Sequence, residues 1–177
     1  MDDHDKTGTV YWFTGLAGAG KTSIGKQFHK KLINETSSKS VFLDGDELRE
    51  AFGNKFGHSL EERRYLAHSY SRLCYLISKQ GIDVVCCTIS MFNSCREWNR
   101  SNIIKYKEIF IHASIKVLQK RNQKNLYKGE DNKTANDVVG INMQYELPLN
   151  PDIKINNDGL LGVEEIVRRN YYNIIKF

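Results

Sequence analysis

Residues 15–22 read Gly15-Leu16-Ala17-Gly18-Ala19-Gly20-Lys21-Thr22, a complete G-x-x-x-x-G-K-[ST] pattern. Ahead of it, Thr9-Val10-Tyr11-Trp12-Phe13-Thr14 is a β-branched and aromatic run of strand length. Behind it, Ile24, Phe28 and Leu32, with Ile33 beside Leu32, recur at helical spacing from a helix that starts near Lys21. Strand, glycine-rich turn and helix in that order make a phosphate-binding loop. The glycines let the backbone close on an anion, and the helix contributes the positive end of its dipole. Gly15, Leu16, Ala17, Gly18, Ala19, Gly20, Lys21, Thr22 and Ser23 are therefore expected around nucleotide phosphates. Lys21 is expected to reach the β- and γ-phosphates, and the Thr22 hydroxyl to ligate Mg²⁺.

The rest of the chain alternates in the same way. Ser40 to Asp44 reads as a second strand, and Leu66, Tyr70, Leu73 and Ile77 as one face of a helix stopped by Gly81. Ile82 to Ile89 is a nearly unbroken apolar run, as in a strand buried on both faces. A charged helical stretch from Ser94 to Lys105 leads to a strand from Glu108 to His112 and a helix through Val117 and Leu118. Asp152 to Ile155 is a last strand, and Val163, Ile166, Val167, Asn170, Tyr171 and Ile174 mark an amphipathic terminal helix. Five strands alternating with helices predict an α/β three-layer fold: a parallel sheet with helices on both faces. With 177 residues, 40% hydrophobic and 27% charged, a single domain over residues 1–177 is expected. No apolar stretch approaches the length of a membrane span, so neither a span nor a secretory leader is expected. The net charge of +5 is carried by scattered basic residues and suits a polyanionic small molecule as well as a nucleic acid. Cys74, Cys86, Cys87 and Cys95 form no C-x-x-C pair and are expected reduced and buried, which places the chain in the cytoplasm.

Ligands of such sheets bind at the carboxyl ends of the strands, so these ends carry the candidate chemistry. The second strand ends in Asp44-Gly45-Asp46, where a carboxylate can serve Mg²⁺ or accept a proton from a substrate hydroxyl, with Gly45 allowing a sharp turn. Helix capping by Asp46 is the competing reading. The third strand ends at Ser90, which either meets phosphate or substrate or caps the next helix. Arg96 and Arg100 lie four apart, facing the site together or simply solvated. Residues 122–147 are polar and without periodicity, the signature of a lid or of a plain surface loop. Arg121 and Lys124 are placed to bring cations to the γ-phosphate.

In this order, the phosphate loop, Asp44-Gly45-Asp46-x-x-Arg49, Gly57-x-Ser59-x-Glu61-x-Arg63, Ile89-Ser90, Lys124-x-Leu126-Tyr127-Lys128, Gly140-Ile141 and Tyr145-Glu146-x-Pro148 resemble the adenylylsulfate kinases over residues 8–170. That resemblance implies a dimeric phosphate-loop kinase that uses MgATP to phosphorylate the ribose 3′-hydroxyl of adenosine 5′-phosphosulfate. It gives Lys21, Asp44, Asp46 and Lys124 catalytic duties, with Thr22 and Asp44 at the metal and Arg121 on the ATP side. Arg49, His58, Arg63, Ser90, Asn93, Val138, Gly140 and Ile141 fall on the acceptor side. The partners expected are ATP and a small nucleotide acceptor, with neither nucleic acid nor membrane.

The departures gather on that acceptor side. His58 and Val138 stand where the family has two Phe that sandwich adenine, and Leu66 and His68 replace an Asn and an Arg. Met91-Phe92-Asn93 replaces Pro-Tyr-Arg. An intact ATP half with a rewritten acceptor half is similar to the cytidine diphosphoramidate kinases of bacterial capsule synthesis, which phosphorylate a cytidine 3′-hydroxyl. Two lost Phe faces disfavour a purine relative to a smaller pyrimidine, and Asn93 can accept a phosphoramidate N–H where Arg can only donate. An ordinary adenylylsulfate kinase and a non-catalytic nucleotide-dependent switch are the alternatives.

Overall fold

The computed structural model describes residues 7–53, 57, 59–121 and 145–176. Along these the chain runs β1 (Val10–Thr14), α1 (Lys21–Glu35), β2 (Ser40–Asp44), α2 (Gly45–Ala51), α3 (Leu60–Ser78), β3 (Asp83–Cys87), α4 (Asn93–Asn102), β4 (Tyr106–His112), α5 (Ile115–Arg121), β5 (Ile153–Asn156) and α6 (Val163–Ile175). The five strands form one parallel sheet in the order β2-β3-β1-β4-β5. The chain leaves β1 toward β2 on one side and returns past it to β4 on the other. Crevices open at such reversals, at the carboxyl ends of the strands.

Strand sequence follows position in the sheet. Every residue of the central β1 is buried, which is why its apolar run is continuous. The edge strand β5 alternates, Ile155 inward and Lys154 outward. Tyr11, Phe13, Val85, Cys87, Ile109 and Ile111 pack with α1 and α6 on one face. Phe28 of α1 centres that layer, its ring 5.0 Å from Tyr11, 5.5 Å from Phe13 and 5.6 Å from Tyr171. Val10, Trp12, Val84 and Cys86 meet α3 and α4 on the other face. Cys86 and Cys87 thus point to opposite layers, and all four cysteines are free and buried.

Several boundaries differ from the sequence reading because backbone pairing sets them. The third strand stops at Cys87: Thr88 N still donates to Phe13 O, but the chain then turns through Ser90 at a φ of 28°. Helix α4 ends at Asn102 rather than Lys105, since the Lys105 carbonyl already accepts Val10 N, and β4 accordingly begins at Tyr106. Strand β5 is shifted by one residue, and Ile33 sits on the outer side of α1. The short helix α2 had no periodic signature of its own.

Gly25 lies inside α1, where alanine ordinarily stabilises a helix by about 1 kcal/mol. Here an added Cβ would meet Cys87 Sγ at 2.2 Å and Phe42 at 3.4 Å. Gly25→Ala is therefore expected to destabilise the protein by about 1–3 kcal/mol in denaturant unfolding. Cys87→Ala in the same chain should restore much of the loss. A more stable Gly25→Ala protein would contradict the packing of α1 on β3.

Candidate active site

The phosphate loop joins the end of β1 to α1. Gly20 precedes α1 with a φ of 99° and provides no side-chain cap, so the first amides of the helix face the loop without a side-chain acceptor. A Cβ on Gly20 would lie 2.5 Å from Asn157 Nδ2, so both conformation and space require glycine. Lys21 is buried and its ammonium arches back to donate to Leu16 O at 2.9 Å. Burial brings its pKa down to about 8, against the pull of the Asp44 and Asp46 carboxylates. A desolvated cation where a glycine-rich loop enters a helix N-terminus is suited to receive a polyphosphate.

Beside it, Thr22 Oγ1 donates to Asp44 Oδ2 at 2.7 Å, while Asp44 Oδ1 accepts Asp46 N at 2.9 Å. Asp44 is thus the N-cap of α2, the duty expected of Asp46; Asp46 instead occupies the exposed first turn. Gly45 is itself the first helical residue, and its value lies in close approach, since a Cβ there would stand 3.2 Å from Thr88 Oγ1. A hydroxyl and a carboxylate oxygen are hard donors and fit Mg²⁺, which takes one or two protein ligands and fills its shell with phosphate and water. Among the described residues no group of three or more His, Cys, Asp and Glu side chains could hold a metal ion.

Two further side chains hold the loop, and only one was legible as a candidate. Arg121 Nη1 donates to Gly18 O at 3.0 Å and its Nη2 to Asn157 O at 2.9 Å. Asn157 Nδ2 donates to Ala19 O at 2.8 Å. Asn157 was missed, although it follows directly on the carboxyl end of β5, where the strand-end rule points. Ser23 is exposed in the first turn of α1.

On the other side of the crevice, Thr14 Oγ1 donates to Ile89 O at 2.6 Å and the hydroxyls of Thr88 and Ser90 lie 2.8 Å apart. Ser90 is buried at the strand end and does not cap α4, whose N-cap is Phe92. Arg49 Nη1 donates to Gly57 O at 2.9 Å, while Glu62 accepts Gly57 N at 2.8 Å and completes a capping box with Ser59. Arg63 lies in the first turn of α3, part-buried. Leu66 is wholly in the core, and His68 Nε2 lies 3.2 Å from Ser94 Oγ, bridging α3 to α4. Arg96 and Arg100 do not face the site together. Arg96 Nε lies 3.4 Å from Glu108 Oε1, and Arg100 Nη2 lies 2.9 Å from Glu108 Oε2 and 3.1 Å from Asp152 Oδ2. Burial raises the Glu108 pKa and the two guanidiniums oppose the rise. Asn93 gives its carboxamide oxygen to Arg96, so that oxygen does not stand ready for a ligand N–H. His58, Lys124, Val138, Gly140 and Ile141, and residues 122–144 of the expected lid, lie outside the described residues.

No helix among the described residues is long and apolar enough to cross a membrane. The sequence model of the family described as adenylylsulphate kinase matches residues 7–156. The chain is 37% identical over 158 residues to the cytidine diphosphoramidate kinase of Campylobacter jejuni, covering 89% of this chain and 91% of that one. It is 33% identical over 151 residues to the adenylyl-sulfate kinase of Gloeothece citriformis, covering 85% of each. The fold superposes on the Mycobacterium tuberculosis APS kinase in complex with AMPPNP and APS with a TM-score of 0.82, at 26% identity over 96% of this chain and 99% of that one. A phosphate loop with a hydroxyl–carboxylate pair beside it, these relatives and this superposition together place the chain in the adenylylsulphate kinase family.

Proposed function

We propose that this kinase transfers the γ-phosphoryl of MgATP to the ribose 3′-hydroxyl of a cytidine nucleotide with a modified 5′-diphosphate, cytidine diphosphoramidate. The observation that carries the reading is the contrast between the two halves of the crevice. The ATP half is complete, from Gly15 to Thr22 with Asp44 beside it. On the acceptor half Leu66 has become core, His68 a bridge between helices, and the two adenine-clasping Phe are His58 and Val138. The 37% identity to a cytidine diphosphoramidate kinase supports the same choice. Adenylylsulfate is the second acceptor to consider, because an adenylyl-sulfate kinase at 33% identity covers 85% of the chain.

Roles follow from position. The loop amides and Lys21 hold the β- and γ-phosphates, with Arg121 and Asn157 bracing the loop from behind. Thr22 and Asp44 would hold Mg²⁺, which when bound neutralises charge shared between β- and γ-phosphate oxygens. The exposed Asp46, in the first turn of the helix that Asp44 caps, serves as the base. It takes the proton of the 3′-hydroxyl as that oxygen bonds to the γ-phosphorus and the bond to the β-phosphate oxygen breaks, releasing ADP. Arg49, Arg63 and Ser90 line the acceptor side, and Lys124 works from the lid segment. A homodimer in the cytoplasm, formed as a single domain over residues 1–177, completes the reading; the four free, buried cysteines agree with a reducing compartment.

Asp44→Asn and Asp46→Asn separate chemistry from capping, because asparagine caps a helix about as well as aspartate. Each is expected to lower turnover at least about a hundredfold. Their melting temperatures should stay near wild type. Normal rates with reduced stability would make the pair structural.

The acceptor is tested by kcat/KM for cytidine diphosphoramidate and adenylylsulfate under saturating MgATP. The cytidine nucleotide is expected to win. Base stacking on an aromatic ring contributes about 1–3 kcal/mol, so His58→Phe with Val138→Phe should move preference toward the purine at least about tenfold. Equal or better use of adenylylsulfate by the wild-type protein would overturn the pyrimidine assignment.

A further inference from the structure

One buried guanidinium fastens the acceptor loop to the chain that returns at residue 145. Arg96 lies one turn into α4 and is 4% exposed. On one side its Nε faces Glu108, itself 2% exposed. On the other side its Nη2 donates to Asn93 Oδ1, to Glu146 O at 2.8 Å and to Leu147 O at 3.3 Å. The Glu146 carboxylate accepts the Asn93 backbone N–H, and Glu146 N donates to Met91 O at 3.0 Å. Residues 91–93 and 146–147 are therefore cross-linked through a side chain too enclosed to meet a ligand. Nη2 shares its two hydrogens among these three oxygens while Nε faces the Glu108 carboxylate and Nη1 has no hydrogen-bond partner among the described residues; a single ammonium cannot reach both sides at once.

The consequence falls on Asn93. It is the first residue of α4 and part-buried, and its side chain takes no part in capping, because Phe92 is the N-cap. With the carboxamide oxygen held by Arg96, the amide is fixed with its NH₂ as the outer end. We propose that Arg96 is a positioning residue for the acceptor, holding Asn93 so that it donates a hydrogen bond to an anionic phosphoryl or sulfonyl oxygen of the acceptor's 5′ group. This rests on the reading that the acceptor nucleotide binds against residues 90–93. It also reverses the expected polarity of Asn93, from acceptor of a ligand N–H to donor toward a ligand oxygen.

The test is a double-variant cycle in steady-state kinetics with Arg96→Lys, Asn93→Ala and both together. Each single change is expected to raise KM for the preferred acceptor at least about tenfold while KM for MgATP moves less than about twofold. The double variant should be no more than about twofold worse than Asn93→Ala, because no carboxamide remains to be positioned. Multiplying effects, or an Arg96→Lys protein that differs only in melting temperature, would overturn the proposal. Should Arg96→Lys fail to fold, Asn93→Ala decides alone: an unchanged acceptor KM overturns it. A wild-type protein that phosphorylates neither nucleotide would fail the functional reading, whereas wild-type turnover with indifferent variants fails only this one.

Discussion

A hydrogen bond of 2.7 Å from the Thr22 hydroxyl to the Asp44 carboxylate joins the two structural elements on which this crevice depends. Thr22 belongs to the helix that opens behind the phosphate loop, and Asp44 ends a strand two positions away in the sheet. The parallel order β2-β3-β1 brings the start of α1 and the end of β2 to one edge, with β3 as spacer. Asp44 caps α2 and holds the Thr22 hydroxyl, and in the proposed reading the same carboxylate would also serve Mg²⁺. Because the cap and the Thr22 bond fix its two oxygens in different directions, the carboxylate is oriented before any nucleotide arrives. Preorganised charge of this kind is the main source of phosphoryl-transfer catalysis.

The rest of the crevice is held by clamps on either side of that bond. Asn157 and Arg121 brace the phosphate loop from the β5 side through three backbone carbonyls, those of Gly18, Ala19 and Asn157 itself. On the far side, Arg96 and Glu108 anchor residues 91–93, where the proposed acceptor would bind, in the layer between the sheet and α4. Both clamps use a guanidinium against backbone oxygens, so the ligand-facing loops are fixed by residues that lie behind them. Burying Glu108 is costly; the two arginines offset that cost, while Asp152, a like charge paired with Arg100, adds to it.

Local rules reached some of these features and missed others for identifiable reasons. The phosphate loop was legible because strand, glycines and helix are contiguous, and the parallel sheet because alternation is a property of the chain itself. Asp44 was legible as a strand-end acid, but the competing capping reading fell on Asp46, since a two-residue shift in where α2 starts leaves no trace in the composition. Strand and helix limits near Cys87 and Asn102 are set by backbone bonds such as Val10 N to Lys105 O, which no side chain records. For Arg96 and Arg100 only the spacing is visible in the sequence, which leaves a site-facing pair and solvated charges equally open; their partners Glu108 and Asp152 lie on other parts of the chain. Asn157 gave a positional signal without a motif to raise it above its neighbours.

Product mapping tests the central claim most directly, that this crevice aligns a ribose hydroxyl with the γ-phosphate. The protein is incubated with MgATP and cytidine diphosphoramidate, and the nucleotide product is examined by phosphorus and proton NMR. The account predicts one new phosphate ester, coupled to the proton on C3′ of the ribose, formed in step with ADP. ADP released without an esterified nucleotide, or a phosphate attached anywhere other than the 3′ position, would contradict it.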